Sequence, residues 1–420
     1  MVMLLNLFTF LPLVIYLLTI FIVSTSHETI SSAVNLETIN QNYDDNGDDD
    51  YDHYHEKAKY YQPDEWIDYM RLIKEVETIN GYQCDPKSSL DCFSPQIESD
   101  LSYWMEKGIT FDDIESAKPH GVHYQIIDHQ LYRQPDCMFP TRCEGIEHFL
   151  LQIINKLPDI EMIINVRDWP VTSKRDTRLP IFSFSRDDSY NNDILYPAWS
   201  FWSGGPAIEQ YPTGIGRFDL LTRSIVSSSP NWESKEDKCF FRGSRTSSDR
   251  DWLILLSQSH PDLIDAQYTK NQAWRSPQDT LGFQPSPTVT FEDHCNYKYL
   301  INLRGVAASF RYKHLFLCQS LVFNVQSNWI EFFYHSLVPW YHYVPVNQSN
   351  FLSILTFFIE HQSEASTIAS NGFKFINKHL NLITIESYWH KLLTDYSTAL
   401  KYKPKLIQSN RKIINSKRKS

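Results

Sequence analysis

Residues 299–325 read YLINLRGVAASFRYKHLFLCQSLVFNV, and this stretch decides the fold. Its pattern predicts a strand over Tyr299–Leu303, a helix over Ser309–Gln319 and a second strand over Leu321–Val325. Strands that alternate with helices indicate a parallel sheet whose two faces are covered by the helices. The stretch therefore predicts an α/β fold.

The same alternation continues along the chain. Further strands are predicted over Met162–Val166, Pro180–Ser185, Cys239–Phe241 and Leu263–Tyr268, and further helices over residues 145–157, Trp252–Ser257, Phe351–His361 and Tyr388–Tyr402. Two groups of such elements suggest two α/β domains that face a cleft. Ligands of open α/β sheets bind outside the carboxyl ends of the strands, so the loops that follow the strands are the candidate site.

The amino-terminal part of the chain differs in composition from the rest. Residues 2–23 are almost wholly apolar, which predicts a signal peptide over residues 1–26, with an uncleaved membrane anchor as the alternative. Residues 27–60 carry an acidic run around Asp44–Asp52 and are expected to form a disordered spacer. The net charge of −11 argues against a nucleic-acid partner.

The seven cysteines agree with a secretory compartment. Cys84 and Cys92 form one close pair in the sequence, and Cys137 and Cys143 form another. Each pair can close a short loop in an oxidising environment. A zinc site would favour two cysteines separated by two to four residues, so zinc is not expected.

Asp168 is the candidate catalytic group, because it follows the strand predicted over Met162–Val166. A carboxylate in this position can take a proton from an attacking hydroxyl group. Two structural roles remain as alternatives. Asp168 can instead form a surface ion pair with Arg167, or a turn before Pro170.

The loop over Asn302–Arg311 is the candidate anion site. Its small residues allow a ligand to approach the backbone, Ser309 is placed to cap the following helix, and Arg311 can bind phosphate oxygens. The alternative is a tight strand–helix junction. A second arginine-containing turn, Phe241–Thr246, could bind the same phosphates or a uridine. Asp48–Asp50 lies in the expected disordered spacer, and Asp187-Asp188 is not an Asp-x-Asp motif. We therefore expect arginines and helix N-termini, and no metal or other cofactor, to hold a diphosphate.

Several longer runs carry a family resemblance. They are Leu131–Arg133, Asp136–Pro140, Ile164–Asp168, Tyr196–Trp199, Tyr211–Gly214, Tyr268–Trp274 and Arg304–Arg311. Over roughly residues 80–402 the chain resembles the protein O-glucosyltransferases of the Rumi type, within the capsule-associated-protein-like glycosyltransferase family. The resemblance implies a GT-B fold of two Rossmann-like domains. It divides the chain into an acceptor-side domain over residues 61–215, a donor-binding domain over residues 216–402 and a basic tail over residues 403–420.

The activity implied by the resemblance is the transfer of glucose from UDP-glucose to a serine in folded EGF-like repeats, as in Notch-type proteins, with inversion. UDP-xylose is an alternative donor, and a lumenal protein that binds EGF-like repeats without catalysis is an alternative function. The resemblance makes Asp168 the catalytic base. It implies a donor pocket of Ser244, Arg250, Val306, Ala307, Ala308, Ser309, Phe310 and Arg311, and acceptor contacts from Met138, Phe139, Pro140, Thr141, Arg142, Ala207, Ile208, Tyr211 and Pro212.

The resemblance also extends the disulfide expectation. It implies a Cys295–Cys318 bond beside Cys84–Cys92 and Cys137–Cys143, which leaves Cys239 reduced. In the endoplasmic reticulum lumen or elsewhere in the secretory pathway, the Asn347-Gln348-Ser349 sequon is an acceptor for N-glycosylation. The last residues, Ser416–Ser420, do not form a KDEL-like retrieval signal. A monomer is expected.

Overall fold

A computed structural model describes residues 64–78 and 89–414. The predicted signal peptide, the acidic spacer, Cys84 and the end of the basic tail lie outside the described residues. The strands are β1 Val122–Ile127, β2 Gln130–Arg133, β3 Ile160–Ile164, β4 Ile181–Ser183, β5 Ser185–Asp187, β6 Ile194–Leu195, β7 Glu236–Gly243, β8 Ile264–Tyr268, β9 Tyr297–Asn302, β10 Leu321–Val325, β11 Trp329–Glu331, β12 Val344–Val346 and β13 Arg411–Ile413.

The helices surround these strands. They are α1 Asp64–Thr78, α2 Ser94–Lys107, α3 Phe111–Ala117, α4 Pro140–Ile153, α5 Phe218–Ser228, α6 Asp251–Ser259, α7 Phe291–His294, α8 Tyr312–Leu315, α9 Phe351–Glu360, α10 Gln362–His379 and α11 Leu382–Ala399. In the described part of the chain, no helix combines the length and the apolarity needed to cross a bilayer.

Five strands of the later half form a parallel sheet in the order β12-β10-β9-β7-β8. The quoted stretch supplies its centre, since Tyr299 of β9 is in register with Leu321 of β10. The residues of β9 after the first are all buried, as expected for a strand covered on both faces. This sheet is the parallel one that the sequence predicts.

The helix between β9 and β10 is shorter than predicted. It begins at Tyr312, lasts one turn as α8 and continues as a 3-10 turn over Phe316–Cys318. Ser309 does not cap it with its side chain; the Ser309 carbonyl instead accepts a hydrogen bond from the Tyr312 N–H at 3.1 Å. Phe310, two residues before the helix begins, stacks on Phe184 with ring centroids 4.8 Å apart. The predicted Ser309 cap is therefore wrong.

The second sheet, in the order β13-β2-β1-β3-β4-β6, is mixed and not parallel. β1 and β2 form an antiparallel hairpin whose turn residues, Asp128 and His129, have φ of 50° and 57°. Positive φ at both central residues is typical of a type I′ turn, which matches the twist of a hairpin. Strands β3, β4 and β6 are parallel to one another. The expectation of parallel sheets fails here because the hairpin was not recognised in the sequence.

The carboxyl-terminal elements return to this mixed sheet. The Tyr388 hydroxyl of α11 donates to the Leu195 carbonyl at 3.3 Å, and the Tyr396 hydroxyl donates to the Glu161 carbonyl at 3.3 Å. Strand β13, in the segment predicted as a basic tail, pairs with β2. Helix α11 and strand β13 therefore pack with the earlier half of the chain. A short antiparallel pair, β5 with β11, also links the two halves.

Two of the expected disulfides are present, Cys137–Cys143 and Cys295–Cys318. Cys239 on β7 is a free and buried thiol, and burial raises the pKa of this thiol above its usual range. The expected Cys84–Cys92 bond involves Cys84, which lies outside the described ranges. The buried, protonated thiol of Cys239 is a poor nucleophile.

We therefore expect Cys239 to resist alkylation in the native protein and to react once the chain is unfolded without a reductant. The measurement is peptide mapping after iodoacetamide treatment under non-reducing conditions. Cys295 is the control, because its peptide should be recovered joined to the Cys318 peptide in both states. A peptide in which Cys239 is bridged to another cysteine would contradict this assignment.

Candidate active site

A cavity of about 840 Å³ lies at the loops that follow β3, β7, β8 and β9. This is the position in which open α/β sheets bind ligands. Its lining includes Asp168, Arg142, Ala207, Ile208, Tyr211, Ser244, Arg250, Val306, Ala307, Ala308, Ser309, Phe310 and Arg311. The candidate base and the candidate donor residues, which are far apart in the sequence, thus share one cavity.

The other predicted acceptor residues lie outside the cavity lining. Met138 is 61% exposed, and Pro140 and Thr141 are exposed at the beginning of α4. Phe139 precedes this helix and packs against the guanidinium of Arg142, while Pro212 is exposed directly after Tyr211. These residues form a surface beside the cavity, where a large acceptor could contact them.

Asp168 is held by Arg142. The Arg142 Nη2 lies 3.0 Å from the Asp168 Oδ1, and the aspartate side chain is 40% exposed. The guanidinium of Arg142 lies between the rings of Phe139 and Trp199, with its Cζ 4.2 and 4.4 Å from the two centroids. Since the ion pair is formed with Arg142, the suggested surface pair with Arg167 is not what the structure contains. The carboxylate is therefore fixed in orientation at the edge of the cavity.

The loop that carries Asp168 is organised by Asn165. This buried side chain donates from Nδ2 to the Trp169 carbonyl at 2.8 Å and to the Ser183 Oγ at 2.9 Å, and its Oδ1 accepts from the Arg167 N–H at 2.9 Å. A buried amide that satisfies backbone groups on both sides of Asp168 restrains the loop. The sequence reasoning assigned Asn165 no role, because it lies within the strand predicted over Met162–Val166, whereas the observed β3 ends at Ile164.

Arg311 lies against the end of β7. Its Nη1 donates to the Arg242 carbonyl at 3.0 Å, and its Cζ is 4.7 Å from the Phe241 ring. A Cβ atom on Gly243 would lie 2.4 Å from the Arg311 Nη2, so a larger residue would require the guanidinium to move. Desolvation, with a smaller contribution from the charge of Arg250, lowers the pKa of Arg311 to about 9, so the group remains charged near neutral pH.

Arg250 is buried and bonds to three carbonyl groups. It donates to Arg304 at 2.8 Å, to Ser244 at 2.7 Å and to Leu303 at 3.2 Å. Burial lowers its pKa to about 10. Within the described residues, neither Arg250 nor Arg311 forms a salt bridge with a carboxylate. Two guanidinium groups without an acidic partner make this part of the cavity strongly positive, as an anionic ligand requires.

The two other arginines of the Phe241–Thr246 turn are already paired. The Arg242 Nη2 lies 2.8 Å from the Asp265 carboxylate, and Arg245 binds both oxygens of Asp251 at 2.8 and 2.6 Å. The expectation that these side chains bind phosphate is therefore not supported by their contacts. They instead hold the loop that presents Ser244 to the cavity.

The loop over Gly305–Arg311 approaches the turn after β7 closely. A Cβ atom on Gly305 would lie 2.9 Å from the Thr246 Oγ1. Ala307 and Ala308 are buried, whereas Val306 is 46% exposed. Short side chains thus let the loop backbone form one wall of the cavity.

His294 also lines the cavity, at the end of α7, and the sequence reasoning missed it. A single histidine after a long loop gives no pattern from which a site could have been inferred. Gly243 was quoted within its turn, but its close approach to Arg311 depends on packing between β7 and the loop after β9.

An α/β cavity lined by one oriented carboxylate and by two arginines without an acidic partner is suited to the transfer of a group from a phosphorylated donor. A family model described as Glycosyl transferase family 90 matches residues 86–419. The chain belongs to glycosyl transferase family 90, and it is a glycosyltransferase.

Curated relatives agree with this assignment. The chain is 50% identical over 342 residues to an O-glucosyltransferase rumi homolog of Anopheles gambiae, covering 80% of this chain and 86% of the relative. It is 49% identical over 340 residues to protein O-glucosyltransferase 1 of Mus musculus, covering 79% and 85%. It is 49% identical over 350 residues to O-glucosyltransferase rumi of Drosophila melanogaster, covering 80% and 85%. The resemblance noted in the sequence is confirmed.

Proposed function

We propose that this protein is a protein O-glucosyltransferase that transfers glucose from UDP-glucose to a serine hydroxyl in folded EGF-like repeats. The observation that carries the proposal is the shared cavity, in which Asp168 lies with the positive group formed by Arg250 and Arg311. The names of the relatives support a protein acceptor and a glucosyl product. On this proposal the two sheets belong to the two Rossmann-like halves of a GT-B enzyme, with the donor bound by the parallel sheet.

The proposed reaction is a single displacement with inversion. The serine oxygen attacks the anomeric carbon, the bond from that carbon to the diphosphate oxygen breaks, and Asp168 takes the serine proton. UDP leaves with the electron pair of the broken bond. Arg311 stabilises the negative charge that develops on the departing diphosphate, and Arg142 keeps the Asp168 carboxylate in place. We propose that arginines and backbone N–H groups hold the diphosphate without a metal or other cofactor.

The proposed acceptor surface consists of Met138, Phe139, Pro140, Thr141, Arg142, Ala207, Ile208, Tyr211 and Pro212. Exposed apolar side chains such as Met138 are suited to a protein acceptor, because they lose contact with water when the partner docks. The Cys137–Cys143 bond closes the loop that carries Met138–Arg142. A folded acceptor would therefore meet a restrained surface.

The direct test is a transfer assay with one folded EGF-like repeat as acceptor and UDP-glucose as donor, with UDP-xylose in parallel. We expect glucose transfer to the folded repeat and little transfer to the same repeat after reduction. Faster transfer of xylose would favour the alternative donor. Binding of the repeat without transfer from either donor would favour the non-catalytic alternative. The presence of Asp168 in an ordered loop favours catalysis instead.

We propose a lumenal location in the secretory pathway, specifically the endoplasmic reticulum, and a monomeric state.

In a lumenal protein we expect Asn347 to be N-glycosylated, because it begins a turn on the surface before α9. The Ser349 Oγ of the sequon donates to the Asn347 Oδ1 at 2.6 Å, which brings the two sequon side chains together. Endoglycosidase treatment should increase the gel mobility of the secretory-pathway protein, and the Asn347→Gln variant should not respond. Equal mobility of the untreated parent and variant would show that the site is unused.

A further inference from the structure

His294 is a buried histidine that the proposed reaction does not use. Only 6% of the residue is exposed, and it lines the cavity together with Phe291 and Arg311. Its ring packs edge-on against Phe240, with centroids 5.1 Å apart. A polar ring held in an aromatic setting and facing a cavity needs a hydrogen-bonding role to offset its desolvation.

The protonation of His294 follows from its neighbours. The Nδ1 atom lies 2.7 Å from the Thr290 carbonyl oxygen, which can only accept a hydrogen bond, so Nδ1 carries the proton. Burial, together with the charges of Arg311 and Arg242, lowers the pKa of His294 to about 4. The ring is therefore neutral near pH 7, and Nε2 presents a lone pair. Among the described residues, no hydrogen bond to this Nε2 is recorded.

The lone pair limits what can bind beside it. The guanidinium groups of Arg250 and Arg311 only donate hydrogen bonds, which suits phosphate oxygens. A neutral Nε2 cannot donate to phosphate and repels its negative oxygens. Among hydrogen-bonding groups of a ligand, it can pair only with an N–H or an O–H. A nucleotide sugar contains both kinds of group, on its base and on its sugars.

We propose that His294 is a donor-specificity residue whose Nε2 accepts a hydrogen bond from an N–H or O–H group of the bound nucleotide sugar. The inference rests on the proposed function, because it takes a UDP-sugar as the ligand. Two sources share this chemistry. One is the nucleoside, through the uracil N–H or a ribose hydroxyl, and the other is a hydroxyl of the transferred sugar.

Two substitutions separate the proposed contact from the structural bond. The amide of asparagine in His294→Asn can keep the hydrogen bond to the Thr290 carbonyl but does not reach the position of Nε2. The longer side chain in His294→Gln can place an amide oxygen near that position. We expect His294→Asn to weaken ligand binding by about ten-fold or more, since a ligand N–H or O–H loses its partner, and His294→Gln to weaken it less. Unchanged melting temperatures would show that the variants are folded.

The experiment is calorimetric titration of the full chain and both variants with UDP and with UDP-glucose. If His294→Asn weakens both ligands equally, the hydrogen-bond donor lies on the nucleoside. If it weakens UDP-glucose alone, the donor is a hydroxyl of the sugar. Parent-like affinity of folded His294→Asn for both ligands would overturn the inference while leaving the proposed function intact. Failure of the parent protein to bind UDP or UDP-glucose would instead overturn the proposed function, and the inference with it.

Discussion

Replacing Asp168 with asparagine should lower turnover by about 10²–10⁴-fold, the range that general-base catalysis typically supplies. Asparagine keeps the shape of the side chain and can still contact Arg142, but it cannot take the serine proton. The measurement is the rate of glucose transfer to one folded EGF-like repeat at saturating UDP-glucose. UDP affinity should remain close to that of the parent, because Asp168 forms its ion pair with Arg142 and not with Arg250 or Arg311.

The matched control is Asp176→Asn. Asp176 is an exposed aspartate further along the same connection between β3 and β4, so its replacement makes the same chemical change on the surface. We expect this variant to transfer glucose at the parent rate. If Asp168→Asn also transfers at the parent rate, Asp168 is not the base and the serine proton leaves by another route. A loss of UDP affinity in Asp168→Asn would indicate a disturbed cavity instead of a missing base.

The elements that could be predicted from the sequence are those set by local pattern. The strands around Tyr299–Leu303 and Leu321–Val325 are apolar runs between polar turns, and the parallel sheet contains both. The cavity position of Asp168 and of the Val306–Arg311 loop also followed, because both come directly after strands. Local order along the chain was enough for these features.

The features that were missed depend on contacts between distant residues. Arg142 and Asp168 belong to different elements, so their ion pair cannot be inferred from spacing. Ser309 has the residue type of a helix cap, but the helix begins only at Tyr312, after Phe310 has stacked on Phe184. The packing of α11 on the mixed sheet likewise depends on tertiary hydrogen bonds such as that from Tyr388 to Leu195. Tertiary structure overrode local propensity at each of these positions.

Replacement of Arg311 should lower both UDP affinity and turnover, whereas replacement of Asp168 should lower turnover alone. Replacing Arg311 with alanine removes charge-assisted hydrogen bonds to the diphosphate, each worth roughly 1.5–3 kcal/mol, so UDP affinity should fall by about 10–100-fold. Turnover should fall as well, because the same charge stabilises departing UDP. Arg223→Ala on α5 is the control, since this side chain is 70% exposed and should leave both quantities unchanged. Parent-like UDP binding by Arg311→Ala would contradict its role.

The close approach of Gly243 to Arg311 provides a second, independent perturbation of the same contact. The backbone of Gly243 has no positive φ, so alanine fits its conformation, but the new Cβ would lie 2.4 Å from the Arg311 Nη2 and displace the guanidinium. Gly243→Ala alone should therefore weaken UDP binding in the same direction as Arg311→Ala. When Arg311 is already alanine the clash with the guanidinium is absent and the 3.1 Å contact with the Phe241 Cζ remains, so the double variant should bind UDP about as weakly as Arg311→Ala. Additive losses in this double-mutant cycle would mean that Gly243 acts on the ligand by a route other than Arg311.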